Sequence, residues 1–339
     1  MSAALSIPAQ PFFARHPQPI EIAGFKAYLT KSLFSPFVIN LEEYTLAQVI
    51  EECIKAKSKM HRNYRASLGC LTYNLAALEE QYGVTLMPAQ VTDIFWDYFI
   101  AFCQGRGLKA STVETMCNQL RSVLNWAVKY NAKVSPTYGD FNVPRVHNQE
   151  IALTADEISR IAYFDIDRFY ADRRADFRRT MHKVRDHFVL SANLFQRFSD
   201  MVRIEPACFD RSVFRITQQK TGSLAVVNID RYAIDAKTTY RILERYGYRA
   251  PFTSTIGNFN YYLHILMRDI GLDDLVRIED RVAGKLVVSN IPKWKLISSH
   301  TARRSAITIN VLRGHNIHAI KRCSGHTDLR IFDRYIRDE

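Results

Sequence analysis

The sequence predicts a mainly α-helical protein of two domains, and three observations support this prediction. Its 339 residues are too many for one ordinary compact core and suit two. Apolar residues recur at three- and four-residue steps through most of the chain, which is the period of an amphipathic helix. One stretch, 202–229, changes to a two-residue alternation and predicts a small antiparallel sheet. We therefore expect a helical first domain and a mostly helical second domain that contains this sheet.

The first domain is predicted at 41–133, after an irregular arm at 1–40 that contains several prolines. Ser111 and Glu114 have the spacing of a capping box, so a helix is expected to begin there. Four stripes of apolar residues at helical spacing indicate a small four-helix domain: 46–54, 71–78, 94–102 and 113–127.

The second domain is predicted at 151–339, beyond a linker at 134–150 where prolines and a glycine break the periodicity. Thr154 and Glu157 form another capping box and predict the first helix of this domain. Within the predicted sheet, a Lys-Thr-Gly turn separates the two alternating segments. Lys220 is therefore expected at the tip of a hairpin.

Composition favours a polyanionic partner. The formal net charge is +12, and no apolar run has the roughly 20 residues of a membrane-spanning helix, so we expect nucleic acid and no membrane. The N-terminus lacks the features of an export signal, which predicts a cytoplasmic protein. The scattered cysteines contain no C-x-x-C pair and are predicted to be reduced thiols rather than zinc ligands: Cys53, Cys70, Cys103, Cys117, Cys208 and Cys323.

The groups that could perform chemistry are concentrated near the C-terminus. His300 and Arg303 lie three residues apart at the start of a predicted helix, so they project from one face where backbone amides favour an anion. Arg197 follows an apolar helix, an unusual place for a charge unless something pairs with it. The alternative is a structural salt bridge from that arginine to Asp200 or another carboxylate.

Three further candidates also have plain structural explanations. Lys220 could be a solvated turn residue, and His326, which follows Gly325, could cap the start of a helix. Tyr335 could be a core aromatic, because it lies four residues after Ile331.

Taken in order, these residues resemble the tyrosine recombinase (phage integrase) family. The matching series is Arg197, Lys220, His300-x-x-Arg303, Gly325-His326 and Tyr335. The resemblance covers about 45–339, with the first domain similar to the family's core-binding domain and the second to its catalytic domain. The sequence around Arg197 and His300 looks closest to integrases of Bacteroidetes mobile elements.

The resemblance implies a role for each matched residue. Tyr335 would attack a DNA phosphate and become joined to its 3′ side. Arg197 and Arg303 would stabilise the charge on the phosphate oxygens in the transition state, assisted by a hydrogen bond from His326.

The remaining roles concern protons and orientation. His300 would help to remove the tyrosine proton, and Lys220 would protonate the departing 5′ oxygen. Asp200 would orient Arg197. The resemblance implies no cofactor: the phosphotyrosine conserves the energy of the broken bond, so ATP is not needed, and the two arginines do the work that a metal ion would otherwise do.

The implied partner is double-stranded DNA carrying recombination sites. Four copies of the chain would form a homo-tetramer on this DNA, and the free chain would be a monomer or weak oligomer. We therefore expect the protein in the cytoplasm, associated with the nucleoid. Two alternatives stay open: a nicking and closing enzyme like the type IB topoisomerases, and a DNA-binding protein without catalysis. Basic residues outside the matched series are candidates for DNA contact: Lys109, Arg121, Arg178, Arg179, Lys183 and Arg304.

The sequence departs from the family pattern in two places. Phe195-Gln196 stands where members commonly have a glycine before the first arginine, which predicts a different local backbone. Only four residues follow Tyr335, whereas the family usually continues into a tail that packs on a neighbouring protomer. The coupling of protomers is therefore expected from elsewhere, such as 1–40, or the product is truncated.

Overall fold

The computed structural model describes residues 41, 43–58, 64–140 and 151–326. The chain divides into two compact units. The first comprises Met1–His147 with Asp280–Leu286, and the second comprises Asn148–Glu279 with Val287–Glu339. The predicted arm at 1–40 lies outside the described residues.

The first unit is helical in its described part, as its apolar periodicity predicts. The third and fifth of its helices pack on each other and on the first. A single 3₁₀ turn at Pro88–Gln90 precedes the fourth. The helices are α1 (Leu46–Ser58), α2 (Tyr64–Ser67), α3 (Gly69–Tyr82), α4 (Asp93–Gly105) and α5 (Ala110–Val128).

Helix α5 organises this unit, because it contacts α1, α3 and α4. One face of it is buried, and that face repeats at three- and four-residue steps. The predicted capping box at its start is wrong: α5 begins at Ala110, so Ser111 lies inside the helix. Lys109 takes the N-cap position and makes no side-chain cap.

The second unit begins, in its described part, with seven α-helices and a three-stranded sheet. Thr154 and Glu157 cap its first helix reciprocally, at 3.2 and 2.8 Å, which confirms the predicted capping box. The helices are α6 (Ala155–Tyr163), α7 (Ile166–Phe169), α8 (Ala175–Leu194), α9 (Phe198–Met201), α10 (Ile229–Tyr232), α11 (Ala236–Arg245) and α12 (Ile256–Asp269).

A three-stranded antiparallel sheet lies between α9 and α10, as the alternation predicts. Its strands are β1 (Phe209–Asp210), β2 (Val213–Thr217) and β3 (Leu224–Asn228), in that order. Phe214 pairs with Val227 and Ile216 with Ala225, which puts these four side chains on the buried face. The turn between β2 and β3 carries Lys220, which confirms its predicted place at a hairpin tip.

The C-terminal part adds a second hairpin and three helices. This hairpin was not predicted, although Val276, Ile278 and Val282 of its first strand alternate with charged residues. The elements are β4 (Leu275–Val282), β5 (Lys285–Pro292), α13 (Lys293–Leu296), α14 (Ser299–Leu312) and α15 (Ile317–Ser324).

Helix α8 is the centre of the second unit. It contacts α6, α11, α12 and α14, and every residue from Val184 to Leu194 is buried. A helix enclosed on all sides is held by its neighbours, so its end is a fixed point of the fold. The candidate site is built at this end. None of the helices in the described part of the chain is long and apolar enough to cross a membrane.

Candidate functional site

The site begins where α8 ends. Phe195 follows the helix in the left-handed conformation, at φ 61°, and its amide donates to the Ser191 carbonyl. Such a conformation is uncommon for a residue with a large side chain, and full burial of the ring holds it in place. The turn places Arg197 at the N-cap of α9, with its side chain 18% exposed. Phe195 thus makes, without a glycine, the turn that leads to Arg197.

Arg303 lies on α14 and is fully buried. Its Nη1 donates to the Phe195 carbonyl at 3.0 Å, and its Nη2 lies 3.2 Å from Nε2 of His326. A planar guanidinium can make both contacts at once, whereas an ammonium group offers no such fork. The two segments that carry Arg197 and His326 are therefore tied to a single arginine.

His326 is buried beside this guanidinium. Burial and then the charges of Arg303 and Arg197 lower its pKa to about 3, so the ring is neutral near pH 7. Its Nδ1 lies 2.8 Å from the Ser324 hydroxyl, which itself donates to the Ile320 carbonyl. The arrangement favours a proton on Nδ1, which leaves Nε2 to accept from Arg303. In this state His326 orients the arginine.

Gly325 ends α15, at φ 64°, and its amide donates to the Lys321 carbonyl. A left-handed residue after the last helical turn is a common helix end, and glycine adopts it without a Cβ penalty. His326 directly follows this helix end. A helix that His326 would cap lies outside the described residues, so that interpretation stays a prediction.

His300 lies in the first turn of α14 with its side chain exposed. Desolvation by surrounding atoms, and then the charges of Arg304, Arg303, Arg197 and Lys220, lower its pKa to about 4. Two effects therefore lower this pKa: desolvation and repulsion by nearby cations. A bound anion would reverse the second effect, because it would offset the positive charges. The ring is neutral near pH 7 and can accept a proton.

The start of α14 is less open to an anion than the sequence suggested. The amide of Ser299 donates to the side chain of Asn260 at 2.9 Å, and that of Ser298 donates to the Thr301 hydroxyl at 3.0 Å. Any attraction for a phosphate at this place must therefore come mainly from side-chain cations.

Asp200 is buried at the base of the β2–β3 turn. One of its oxygens accepts from the Gln219 amide at 2.8 Å and from Arg203 at 3.4 Å. The other lies 4.0 Å from Nη1 of Arg197, which is an ion pair without a hydrogen bond. Asp200 thus fixes the turn that carries Lys220, in addition to its electrostatic contact with Arg197.

These residues surround an open groove on the second unit. Its lining includes Arg197, Arg203, Gln219 and His300. Lys220 is exposed on the adjacent turn. Among the described residues, the lining contains two arginines and no carboxylate, so the groove suits an anionic ligand such as a phosphodiester. Within the part of the chain that the structure describes, no group of acidic, histidine and cysteine side chains could hold a metal ion.

The candidate DNA-binding residues fall into different settings. Lys183 is exposed on α8, and Arg121 is half-buried on α5. Lys109 makes an ion pair with Asp280 at 2.6 Å, and Arg179 makes one with Asp176.

The two remaining arginines of this set, Arg178 and Arg304, bond to backbone carbonyls within the second unit. Arg178 donates to the carbonyls of Ala171 and Arg173. Arg304 is buried and donates to the Ile151 carbonyl at 3.0 Å. Arg304 thus lies in the interior of the second unit, and its role as a DNA contact stays a prediction.

Tyr335, the proposed nucleophile, lies outside the described residues. The structure places the other catalytic candidates near one another. Arg303 contacts His326, and the charges of Arg197, Arg303 and Lys220 all act on His300.

Sequence reasoning missed Gln196, Gln218 and Arg203. A signal for Gln218 was present, since it continues the inward alternation of Phe214 and Ile216 and is a polar residue at a buried position.

Comparison with known proteins supports this architecture. Neither a protein-family model nor a curated protein matches the sequence. Among solved structures, a λ integrase dimer bound to a COC′ core site matches at a TM-score of 0.59 and 16% identity, covering 87% of this chain and 98% of its own. The chain has an integrase-like fold.

Two further solved structures share the integrase-like fold. A λ integrase tetramer bound to a Holliday junction matches at a TM-score of 0.59 and 16% identity, over 94% of this chain and 87% of its own. The Tn1549 transposon integrase in complex with a circular intermediate DNA matches at 0.60 and 13% identity, over 87% and 95%. At these identities the likeness concerns the fold.

Proposed function

We propose that this chain is a site-specific DNA recombinase that cuts and rejoins DNA through a covalent bond between Tyr335 and a 3′ phosphate. The observation that carries the proposal is the cationic groove lined by Arg197 and His300, with Lys220 on the adjoining turn. The buried Arg303 lies beside His326, and its charge acts on His300. The integrase-like fold supports it, since solved structures with this fold are bound to DNA core sites.

The two arginines account for the electrostatic part of the chemistry. A phosphodiester gains negative charge in its pentacoordinate transition state, and fixed guanidinium groups stabilise that charge without having to reorganise. Arg303 is held by the Phe195 carbonyl and His326, and Arg197 is held from the β2–β3 turn. Loss of one such donor costs about 10²–10³-fold in rate in well-studied enzymes.

The proton transfers follow from the bonds that change. The phenolic oxygen of Tyr335 bonds to phosphorus while the bond from phosphorus to the 5′ oxygen breaks. His300, neutral near pH 7 because its pKa is lowered to about 4, takes the phenolic proton. Lys220 gives a proton to the departing 5′ oxygen. Rejoining reverses these steps, so the reaction consumes neither ATP nor a metal cofactor.

The partner is double-stranded DNA carrying two recombination sites, bound by four copies of the chain that are separate or weakly associated when free. The λ integrase tetramer on a Holliday junction supports this assembly. We propose that the enzyme works in the cytoplasm, associated with the nucleoid. The sequence around Arg197 and His300 supports a place among integrases of Bacteroidetes mobile elements.

A nicked duplex tests the proposal directly. A duplex library of random sequence with one central nick is incubated with the protein, and DNA that stays attached in denaturant is recovered and sequenced. The nick lets the cleaved fragment leave, so the adduct accumulates. We expect one sequence family to be enriched, and Tyr335→Phe to give no adduct.

The matched control is Tyr261→Phe, which removes the hydroxyl of an exposed tyrosine in α12 and should leave the adduct yield unchanged. Equal yields from Tyr335→Phe and wild type would refute the proposal. With the selected duplex, strand transfer between two DNA molecules distinguishes a recombinase from a nicking and closing enzyme, which would relax supercoils without exchanging strands.

The role of Lys220 has its own test. Lys220→Ala should slow adduct formation by about 10²–10⁴-fold, the usual contribution of a general acid. A duplex with sulfur in place of the 5′ bridging oxygen should restore the rate, because a thiolate leaves without a proton. Lys237→Ala, an exposed lysine of α11, is the control. A defect of equal size on both duplexes would remove Lys220 from the acid role.

A further inference from the structure

Two glutamines are buried next to the candidate site. Gln196 is fully buried, and Gln218 is 1% exposed. A primary amide has two donors and an oxygen acceptor, all of which are costly to bury without partners. The partners of these two amides are therefore informative.

Gln218 joins the β2–β3 turn to both other parts of the site. Its Oε1 accepts from Nη1 of Arg197 at 2.6 Å. Its Nε2 donates to the Ser324 carbonyl at 2.7 Å and to Oε1 of Gln196 at 3.1 Å. Because an arginine only donates, the oxygen of this amide must face Arg197, and the direction of the other two bonds follows.

Gln196 continues the connection. Its Nε2 donates to the Leu194 carbonyl at 2.6 Å and to the Cys323 carbonyl at 3.3 Å. The amide pair therefore links the end of α8, the turn that carries Lys220 and the end of α15, three segments far apart in sequence.

The end of α15 is shaped to receive Gln218. A Cβ atom on Gly325 would lie 2.7 Å from Cδ of that side chain, closer than real Cβ contacts. The backbone of Gln218 also holds its turn, since its amide donates to the Ser223 carbonyl and its carbonyl accepts from the Gly222 amide, each at 2.9 Å. The side chain occupies a defined place between the turn and the helix end.

The amide is chemically suited to this place. A carboxylate would bind Arg197 more strongly but would neutralise the charge that a phosphate needs. It would also lose the donor that satisfies the Ser324 carbonyl. A neutral acceptor orients the guanidinium and leaves its charge available.

We propose that Gln218, supported by Gln196, is a positioning residue that sets the guanidinium of Arg197 relative to Lys220 and His326. This inference rests on the proposed function, because it assigns Arg197 to the phosphate. Gln218 acts through the arginine and does not itself touch the reacting atoms.

The test measures single-turnover adduct formation on the selected nicked duplex with protein in excess. Gln218→Ala should slow it by about 100-fold, the cost of a small misplacement of a catalytic group. Gln218→Glu keeps the volume and should also be slow, because it pairs with the arginine. An unfolding transition like that of wild type in both variants separates misplacement from a failure to fold.

A modified substrate tests whether Gln218 acts through Arg197. A methylphosphonate at the scissile position removes one negative charge and with it much of the need for Arg197. On that duplex, and in an Arg197→Ala background, Gln218→Ala should cost less than about threefold, because removing two members of one unit is not additive. A loss of 100-fold in all three settings would overturn the proposal.

The matched control is Asn310→Ala. This buried amide of α14 donates to the Tyr232 and Ala306 carbonyls. We expect it to lower stability and to leave the single-turnover rate within about threefold of wild type, the same threshold as above. A rate as low as that of Gln218→Ala would show that any buried amide has the same effect and would overturn the proposal.

A measurement without DNA separates this inference from the proposed function. Nitrogen-15 spectra of the arginine side chains, with Arg197 assigned through Arg197→Lys, should show a guanidinium with restricted rotation that becomes mobile in Gln218→Ala and not in Asn310→Ala. Restricted rotation without any DNA adduct would overturn the proposed function and keep the positioning. A guanidinium that is mobile in wild type would overturn the positioning itself.

Discussion

The interiors of the two units differ in kind. Among described residues of the first unit, the buried polar side chains are Asn74 and Ser135, and the remainder of its buried set is apolar. The second unit buries ionisable groups as well, including Arg185, Asp186, His187, Asp200, Arg303 and Arg304. Apolar burial stabilises, whereas a buried charge is costly unless it is fully paired. The difference indicates that the first unit is built for stability and that the second gives up stability to hold cations in place.

The largest effect on stability should come from the apolar interior. Leu124→Ala removes a fully buried side chain of α5 and should lower the free energy of unfolding by about 2–5 kcal/mol. Urea unfolding followed by the fluorescence of Trp96 and Trp126 measures this unit. A change below about 1 kcal/mol, well under that range, would contradict the comparison.

The next effect should appear in rate. Arg303→Lys cannot reach both the Phe195 carbonyl and His326, so adduct formation should fall by about 10²–10³-fold. The unfolding transition seen by Trp126 should be unchanged, because the first unit does not contain this residue. Wild-type rates from the lysine variant would show that the buried guanidinium serves only the fold.

The second unit should also lose stability in acid. Burial lowers the pKa of His187 to about 3, whereas an unfolded histidine titrates near 6.5. The unfolded state therefore binds the proton first, and stability that is present above pH 6.5 is lost as the pH falls, by about 1.4 kcal/mol per pH unit.

His187→Phe isolates this contribution from those of His300 and His326, whose pKa values are lowered in the same direction. Phe198, Phe252 and Phe259 surround the ring and suit a phenylalanine. Unfolding followed through Trp294 should depend less steeply on pH in this variant between pH 6 and 4. An unchanged slope would show that the buried histidine contributes nothing.

The smallest effect compares two predicted helix caps. Thr154→Ala removes a capping hydroxyl and should cost about 1 kcal/mol of stability. Ser111→Ala should be nearly neutral, because Ser111 lies inside α5 and caps nothing. Thermal unfolding of the two variants measures both. Equal losses would show that the cap at Thr154 has no particular value.

These caps illustrate what sequence can predict. Thr154 and Glu157 are three residues apart, so their reciprocal bonds depend only on local spacing. The same local pattern failed at Ser111, because the N-cap of α5 is Lys109, two residues earlier. Helices and the Lys220 hairpin followed from periodicity. The β4–β5 hairpin was missed although Val276 and Ile278 alternate with charged residues in β4, because most of its residues are exposed and β5 has no such alternation.

The site shows the limit more clearly. The types and order of Arg197, His300 and Arg303 were visible in sequence. The bond from Gln218 to Ser324 joins residues 106 positions apart, and no local rule predicts such a contact. Gly325 shows the same limit: glycine marks both turns and helix ends, and the backbone angle identifies it here as the end of α15.

The central claim is that the chain joins itself to DNA through Tyr335. The most direct measurement is mass spectrometry of the adduct formed on the selected nicked duplex, after digestion with protease and nuclease. The account predicts one peptide that contains Tyr335 and carries a nucleotide attached through a 3′ phosphate. Attachment at any other residue, or through a 5′ phosphate, would contradict it.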